Sequence, residues 1–363
     1  MKRLNRALVL TLMSWGIMAN NASAQITIDA VPVGNAGNAN DPTTGFGAVD
    51  YDYSIGTYEV TLNQYTAFLN AVGAADTYGL YRTAMGSDPR IMGITRSGAP
   101  GNYTYSVLGS GARPVTYVTW YSAARFVNWL HNGQPVGAQA ADTTETGAYT
   151  LNGALNGIIN RNASWNYGLP SQNEWYKAAY HQPASAGGDA DGYWLYPTAS
   201  NLIPNSRNGS ASDANSANFY RNVAYVDGVN GGYAVAGSTS FPTGNALTDA
   251  CSFSLARSYY GTFDQGGNVW ELTDAVIGGN HVVRGGSWSD TEVNLRASDL
   301  TWDLMPVLGW DNVGFRVVMI PEPSVIGFMA LGVAMLAGKR KRTLTHAAQR
   351  TSGLDRRIAD GTY

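Results

Sequence analysis

Three stretches of the chain carry apolar residues at helical spacing, and each is opened by a hydroxyl residue able to cap a helix. Thr61 precedes Leu62, Tyr65, Leu69 and Val72, which fall on one face, and Gly73 closes the run. Thr119 precedes Trp120, Ala123, Val127 and Leu130, spaced three and four apart, with Gly133 just past the end. Ser171 and Glu174 stand three apart as in a capping box and predict a third helix, reaching about Tyr180 before Pro183. Shorter apolar runs predict strands over 55–60, 281–284 and 314–319, while the Gly-rich stretches 184–192 and 224–244 read as surface loops. The pattern is α+β with much irregular structure. No linker, charge block or repeat interrupts 46–320, which reads as one domain preceded by a Gly-, Asn- and Pro-rich leader over 25–45.

Composition narrows the class. Only 13% of the 363 residues are charged, against 43 Gly, 22 Tyr and 10 Trp. So many aromatics with so little charge excludes intrinsic disorder, and the scarcity of charged helix formers argues against bundles and coiled coils. The formal charge of −3 conceals an asymmetry: between 25 and 338, thirteen Lys and Arg face 24 Asp and Glu, a net of −11, and Lys177 is the only lysine there. Such a surface repels phosphate backbones and excludes nucleic acid as a partner.

The two ends read as processing signals. Residues 1–24 combine Lys2, Arg3 and Arg6, an apolar run from Ala7 to Met18, and Ala22-Ser23-Ala24 before Gln25, the layout of a cleaved secretory signal peptide. Cys251 is the only cysteine, so no intrachain disulfide can form. At the other end Pro321-Glu322-Pro323 precedes a short uncharged segment, 324–338, and then Lys339-Arg340-Lys341-Arg342. The segment is shorter than a stable spanning helix needs, and its basic flank favours the cytoplasmic side. Residues 321–342 resemble a PEP-CTERM sorting signal. That resemblance implies transient membrane contact through 324–338, an exosortase-type processing enzyme as partner, and release or attachment at the surface of a Gram-negative bacterium. The 21 residues of 343–363 extend past the usual end of such signals and form an unassigned tail.

A search for catalytic patterns in the body finds no phosphate-binding Gly-rich loop, no H-E-x-x-H and no G-x-S-x-G. His131, His181 and His281 are isolated in sequence and read as helix-end or surface residues. Trp120, Trp129, Trp175 and Trp270 read as core, and Arg125, Arg284 and Arg316 as partners of carboxylates that fix loops.

Ordered motifs go further. Glu59-Val-Thr-Leu-Asn-Gln-Tyr is followed by Arg113-Pro-Val-Thr-Tyr-Val-Thr-Trp-Tyr-Ser-Ala-Ala-Arg125, then Gly168-Leu-Pro-Ser-Gln-Asn-Glu174-Trp-Tyr-Lys, then Asn218-Phe219. Next come Asp264-Gln-Gly-Gly-Asn-Val-Trp-Glu271, Val283-Arg-Gly-Gly-Ser287-Trp and Gly314-Phe-Arg-Val. In this order, over about residues 50 to 319, they closely resemble the formylglycine-generating enzyme (sulfatase-modifying factor) family. The resemblance implies a fold related to C-type lectins, with little regular secondary structure and bound calcium. It implies a calcium site built from the side chains of Asp264 and Glu271 and the carbonyls of Gly267 and Val269, and it matches Asn218 and Phe219 to the start of a second. Independently, two carboxylates around a Gly-Gly turn suit an ion that prefers several hard oxygens.

In that family two cysteines shortly after the Arg-Gly-Gly-Ser motif bind copper(I) and support oxygen-dependent conversion of a substrate cysteine to formylglycine. Here Ser287 to Ser298 contain no cysteine, histidine or methionine, and no common hard ligand replaces soft thiolates for copper(I). The iron pattern of the related sulfoxide synthases, H-x-x-x-H-x-E, is absent too. The expectation is therefore an exported, surface-sorted protein that binds rather than catalyses, without copper, with a ligand groove for a glycan or peptide beside Trp288, Asp290 and Arg296. The alternatives are an oxidoreductase of the family with an altered active site acting on an exported protein, and a structural component of an extracellular matrix.

Overall fold

The computed structural model describes residues 25–206, 213–222, 231–299, 303–304 and 309–320. The expected signal peptide and the C-terminal sorting signal with Pro321, Glu322 and Pro323 lie outside the described residues. Among those described, no helix is long and apolar enough to cross a membrane.

The three helices form where their caps predict. Leu62–Val72 opens on Thr61, whose side chain accepts from the Gln64 N–H while the Gln64 side chain reaches back, a reciprocal capping box. Trp120–His131 opens on Thr119, whose hydroxyl accepts from the Ser122 N–H. Gln172–Tyr180 opens on the Ser171–Glu174 box. The first two helices pack through rings: Tyr65, Phe68, Phe126 and Trp129 are nearly or fully buried, with Phe68 and Phe126 centroids 5.4 Å apart. Phe315 closes the cluster edge-on to Phe126 at 5.4 Å, tying the helices to the C-terminal segment. The four core tryptophans are 0–4% exposed. Edge-to-face rings add a geometric preference to the apolar area they bury.

Two small sheets frame this core. One orders Ala30–Val33, Tyr53–Gly56, Val318–Met319 and Tyr167–Gly168 side by side, joining the two ends of the described chain. The other orders Asp303–Leu304, Asn280–Arg284, Trp270–Ile277 and Val313–Gly314, the last pair parallel. The strand expected over 314–319 is thus two strands in different sheets. Between them the Phe315 carbonyl accepts from Val60 N–H and the Val317 carbonyl from Gly56 N–H, both at 2.8 Å, while Arg316 turns inward. The strand expected over 55–60 ends at Gly56, because Thr57 and Val60 bond separate segments. Along 224–244, the residues 223–230 are not described, but Gly232–Tyr233 pairs antiparallel with Tyr220–Arg221. Few helices, short strands and long irregular connections make this the mixed α+β architecture expected.

Candidate functional site: a buried acidic turn beside a tryptophan-lined cavity

The segment 264–271 is a tight turn entering a strand. Asp264 and Asn268 hold left-handed φ of 60° and 59°, and Gly267 lies between at 85°. A Cβ on Gly267 would fall 2.3 Å from the Asn218 carbonyl, so only glycine fits there. The turn is stitched from outside: Asn268 N–H donates to the Asn218 carbonyl at 2.7 Å, Gly267 N–H to that of Gly285 at 2.9 Å, and Trp288 N–H to that of Asn268 at 3.0 Å. The Asp264 turn and the Arg-Gly-Gly-Ser segment are therefore one unit.

Glu271 is wholly buried and fully engaged. Its carboxylate accepts from Arg316 Nε at 2.5 Å and Nη2 at 2.6 Å, and from the Trp175 indole N–H at 2.7 Å. Arg316 also donates to the carbonyls of Gly56 and Phe263, each at 2.9 Å. A two-pronged guanidinium–carboxylate pair with four of its five N–H donors met is a form in which buried charge is tolerated.

Two further carboxylates share that single arginine. Asp264 is 9% exposed and accepts from Cys251 N–H at 2.9 Å; burial raises its carboxyl to about 6. Glu59, part of the Glu59-Val-Thr-Leu motif, is 1% exposed. Its Oε2 is buried with no hydrogen-bond partner, and burial, then Asp264 and Glu271, hold its carboxyl well above the usual range. Three buried acids share one guanidinium, so burial favours the neutral form of Glu59 and Asp264, and their hard oxygens would suit calcium were a cation to bind. Among the described residues no three side chains of His, Cys, Asp or Glu group to hold a metal, so such a site would also rely on main-chain oxygens such as those of Gly267 and Val269. Of the residues matched to a second site, the Asn218 side chain donates to the Ala246 carbonyl and to Asn268 Oδ1, and the Phe219 carbonyl accepts from Ser206 Oγ at 2.6 Å.

Cys251 belongs to this acidic cluster. Burial, with Asp264 and Glu59 adding, pushes its thiol up to about 12, so it remains a thiol rather than the thiolate a metal requires.

A cavity lies at the start of the same strand. It measures about 310 Å³ and is lined by Trp270, Val283, Asp290, Trp310, Asp311, Asn312 and Val313. Three separate segments build it. Trp270 N–H donates to the Asn312 carbonyl at 2.8 Å, and the Asn312 amide reaches Ser287 Oγ at 3.2 Å. Ser287 Oγ in turn donates to an Asp290 carboxylate oxygen. Burial pushes Asp290 above the ordinary carboxylate range, and hydrogen bonds from Ser287 and Trp270 act in the opposite direction. Asp311 pairs with Arg90 at 3.1 Å, but Arg90 also holds Asp88 at 2.7 Å. Trp310 is 45% exposed and anchored through its carbonyl, which accepts from Tyr117 N–H at 2.9 Å.

The expected groove is thus divided. Asp290 lines the cavity. Trp288 is 2% exposed and packs with Ile91, Ala246, Leu247 and Val269, while Arg296 donates to the Tyr196 hydroxyl at 3.1 Å. Trp270, read as core alone, is both buried and a cavity wall. Arg125 pairs with Glu145 at 2.7 Å as expected, whereas Arg284, expected to meet a carboxylate, donates to the carbonyls of Ala297 and Asp299.

A family model described as sulfatase-modifying factor enzyme 1-like domain matches residues 24–320. The chain belongs to that family. The formylglycine-generating-enzyme-like match spans the two sheets, the three helices and both the acidic turn and the cavity. Three solved structures are similar to the chain. CarF is 20% identical, with 82% of this chain and 99% of that one covered at a TM-score of 0.43. The Treponema denticola variable protein 1 is 17% identical, with 80% and 95% covered at 0.42. PvdO from Pseudomonas aeruginosa is 17% identical, with 80% and 90% covered at 0.38. No curated protein matches.

Proposed function

We propose that this sulfatase-modifying-factor-like domain is exported and binds a ligand in the cavity beside Asp290, rather than oxidising cysteine with copper. The observation that carries this reading is the chemistry of the segment after the Arg-Gly-Gly-Ser motif. It brings a carboxylate, Asp290, to the cavity and has no thiol, imidazole or thioether from Ser287 to Ser298. The chain's single cysteine, Cys251, sits beside Asp264, to which its backbone N–H donates, and it is not a lining residue of the cavity. In this reading calcium is structural: Asp264 and the carbonyls of Gly267 and Val269 would hold it, with Glu59 in place of the expected Glu271, whose carboxylate is taken up by Arg316 and Trp175, and it would fix the turn that carries the cavity wall. The N-terminal pattern supports export, and the Pro-Glu-Pro segment with its short apolar run supports handling by an exosortase-type enzyme at a Gram-negative surface.

The test is direct. The purified chain is supplied with copper, oxygen, reductant and a panel of cysteine peptides, and products are read by mass spectrometry. The proposal expects no formylglycine above a no-protein control from folded protein. Formylglycine formation would overturn it in favour of an oxidoreductase with an altered site.

A further inference from the structure

Resting on the binding reading above, we infer that the cavity takes a primary ammonium group carried on an aliphatic chain, such as the side chain of a lysine residue in a peptide. The apolar lining suits an aliphatic stem. Trp270, Val283, Val313 and Trp310 make most of the cavity wall apolar, which suits methylenes better than the hydroxyl-studded rim of a sugar. The polar lining residues set the charge. Asp290, Asp311 and Asn312 supply oxygen acceptors at the cavity, and the two carboxylates bring negative charge.

Among the described residues no arginine or lysine pairs with Asp290, whose carboxylate is met by the Ser287 hydroxyl. Arg90 is shared between Asp311 and Asp88, so one cation serves two acids there. A mostly buried carboxylate without a cation is costly, and a ligand that brings one repays that cost on binding. Trp310 adds a half-exposed indole at the cavity wall, the ring type that attracts cations most strongly through its face. The net negative charge of the body would also favour approach of a cationic partner. A compact ammonium with three donors matches the acceptors that Asp290, Asp311 and Asn312 bring to the cavity.

The test is calorimetric titration of the purified full chain with Nα-acetyl-lysine methylamide, its uncharged counterpart Nα-acetyl-norleucine methylamide, and glucosamine. The lysine derivative is expected to bind at least about tenfold more tightly than the norleucine derivative and than glucosamine. Asp290→Asn, with near-UV circular dichroism unchanged, is expected to erase the charged-over-neutral preference. Trp310→Leu, which leaves Asp290 in place, is expected to weaken the lysine derivative several-fold. Equal binding of the charged and neutral derivatives, an unchanged affinity in Asp290→Asn, no binding of any probe, or glucosamine as the preferred ligand would each overturn the inference. Neutral binding at the cavity, or preference for the sugar, would leave the broader binding reading standing. Formylglycine in the mass-spectrometric assay would remove that reading itself.

Discussion

Glu271 and Asp290 lie near opposite ends of one hydrogen-bonded unit, yet they are treated in opposite ways. Glu271 is met by Arg316 through two prongs and by the Trp175 N–H. Asp290 is met by a serine hydroxyl, pairs with no arginine or lysine among the described residues, and borders a cavity. The first is a charge closed by the fold. The second is a charge the fold leaves open. Natural chains tolerate such uncompensated groups chiefly where a ligand completes them, at some expense in stability.

The largest expected effect that could break this contrast is on the closed side. Arg316→Ala leaves Glu271 buried without its cation and should lower stability by about 3–5 kcal/mol. A loss under about 1 kcal/mol in denaturant titration would show that the pair does not organise the core. Trp175→Phe removes one donor to Glu271 while keeping a ring, and should lose about 2 kcal/mol; a melt identical to the parent would contradict the role given to that N–H.

A further, partly buried acid extends the contrast through pH. Asp274 pairs with Arg161 at 3.2 Å, but Arg161 also holds Glu174, and burial raises Asp274 to about 7 from 3.8. Its folded form therefore keeps a proton that the unfolded form has released. The favourable contribution is complete below about pH 4 and is lost progressively as pH rises to about 7. Asp274→Asn should flatten this part of the stability–pH curve, leaving the variant relatively more stable at pH 8 than at pH 4. Parallel curves for parent and variant across that window would refute the shift. Smallest of all, Asp290→Asn should change stability by less than about 1 kcal/mol in either direction, since the amide keeps an acceptor for Ser287 and relieves an uncompensated charge.

The elements legible in the sequence were those specified locally. Thr61, Thr119 and Ser171 announce helices because a cap and its partner lie within four residues. The segment 314–319 misled because alternation cannot tell which sheet a residue joins, and Val313–Gly314 and Val318–Met319 join different ones. The motifs located the acidic turn but not its occupancy: nothing near Glu271 in sequence says that Arg316 claims its carboxylate, or that Glu59 arrives there with an unpartnered oxygen. The cavity was legible only at Asp290. Its walls come from three distant segments, and neighbouring tryptophans such as Trp288 and Trp310 cannot be sorted into core and cavity by spacing.

The central claim is that the fold closes the charge of Glu271 and leaves that of Asp290 for a ligand. The most direct measurement is a paired comparison of unfolding free energies for Glu271→Gln and Asp290→Asn under identical conditions. The account predicts a loss of at least about 3 kcal/mol for the first and less than about 1 kcal/mol for the second. Equal losses would mean that Asp290 is as much a part of the scaffold as Glu271, and would contradict the claim.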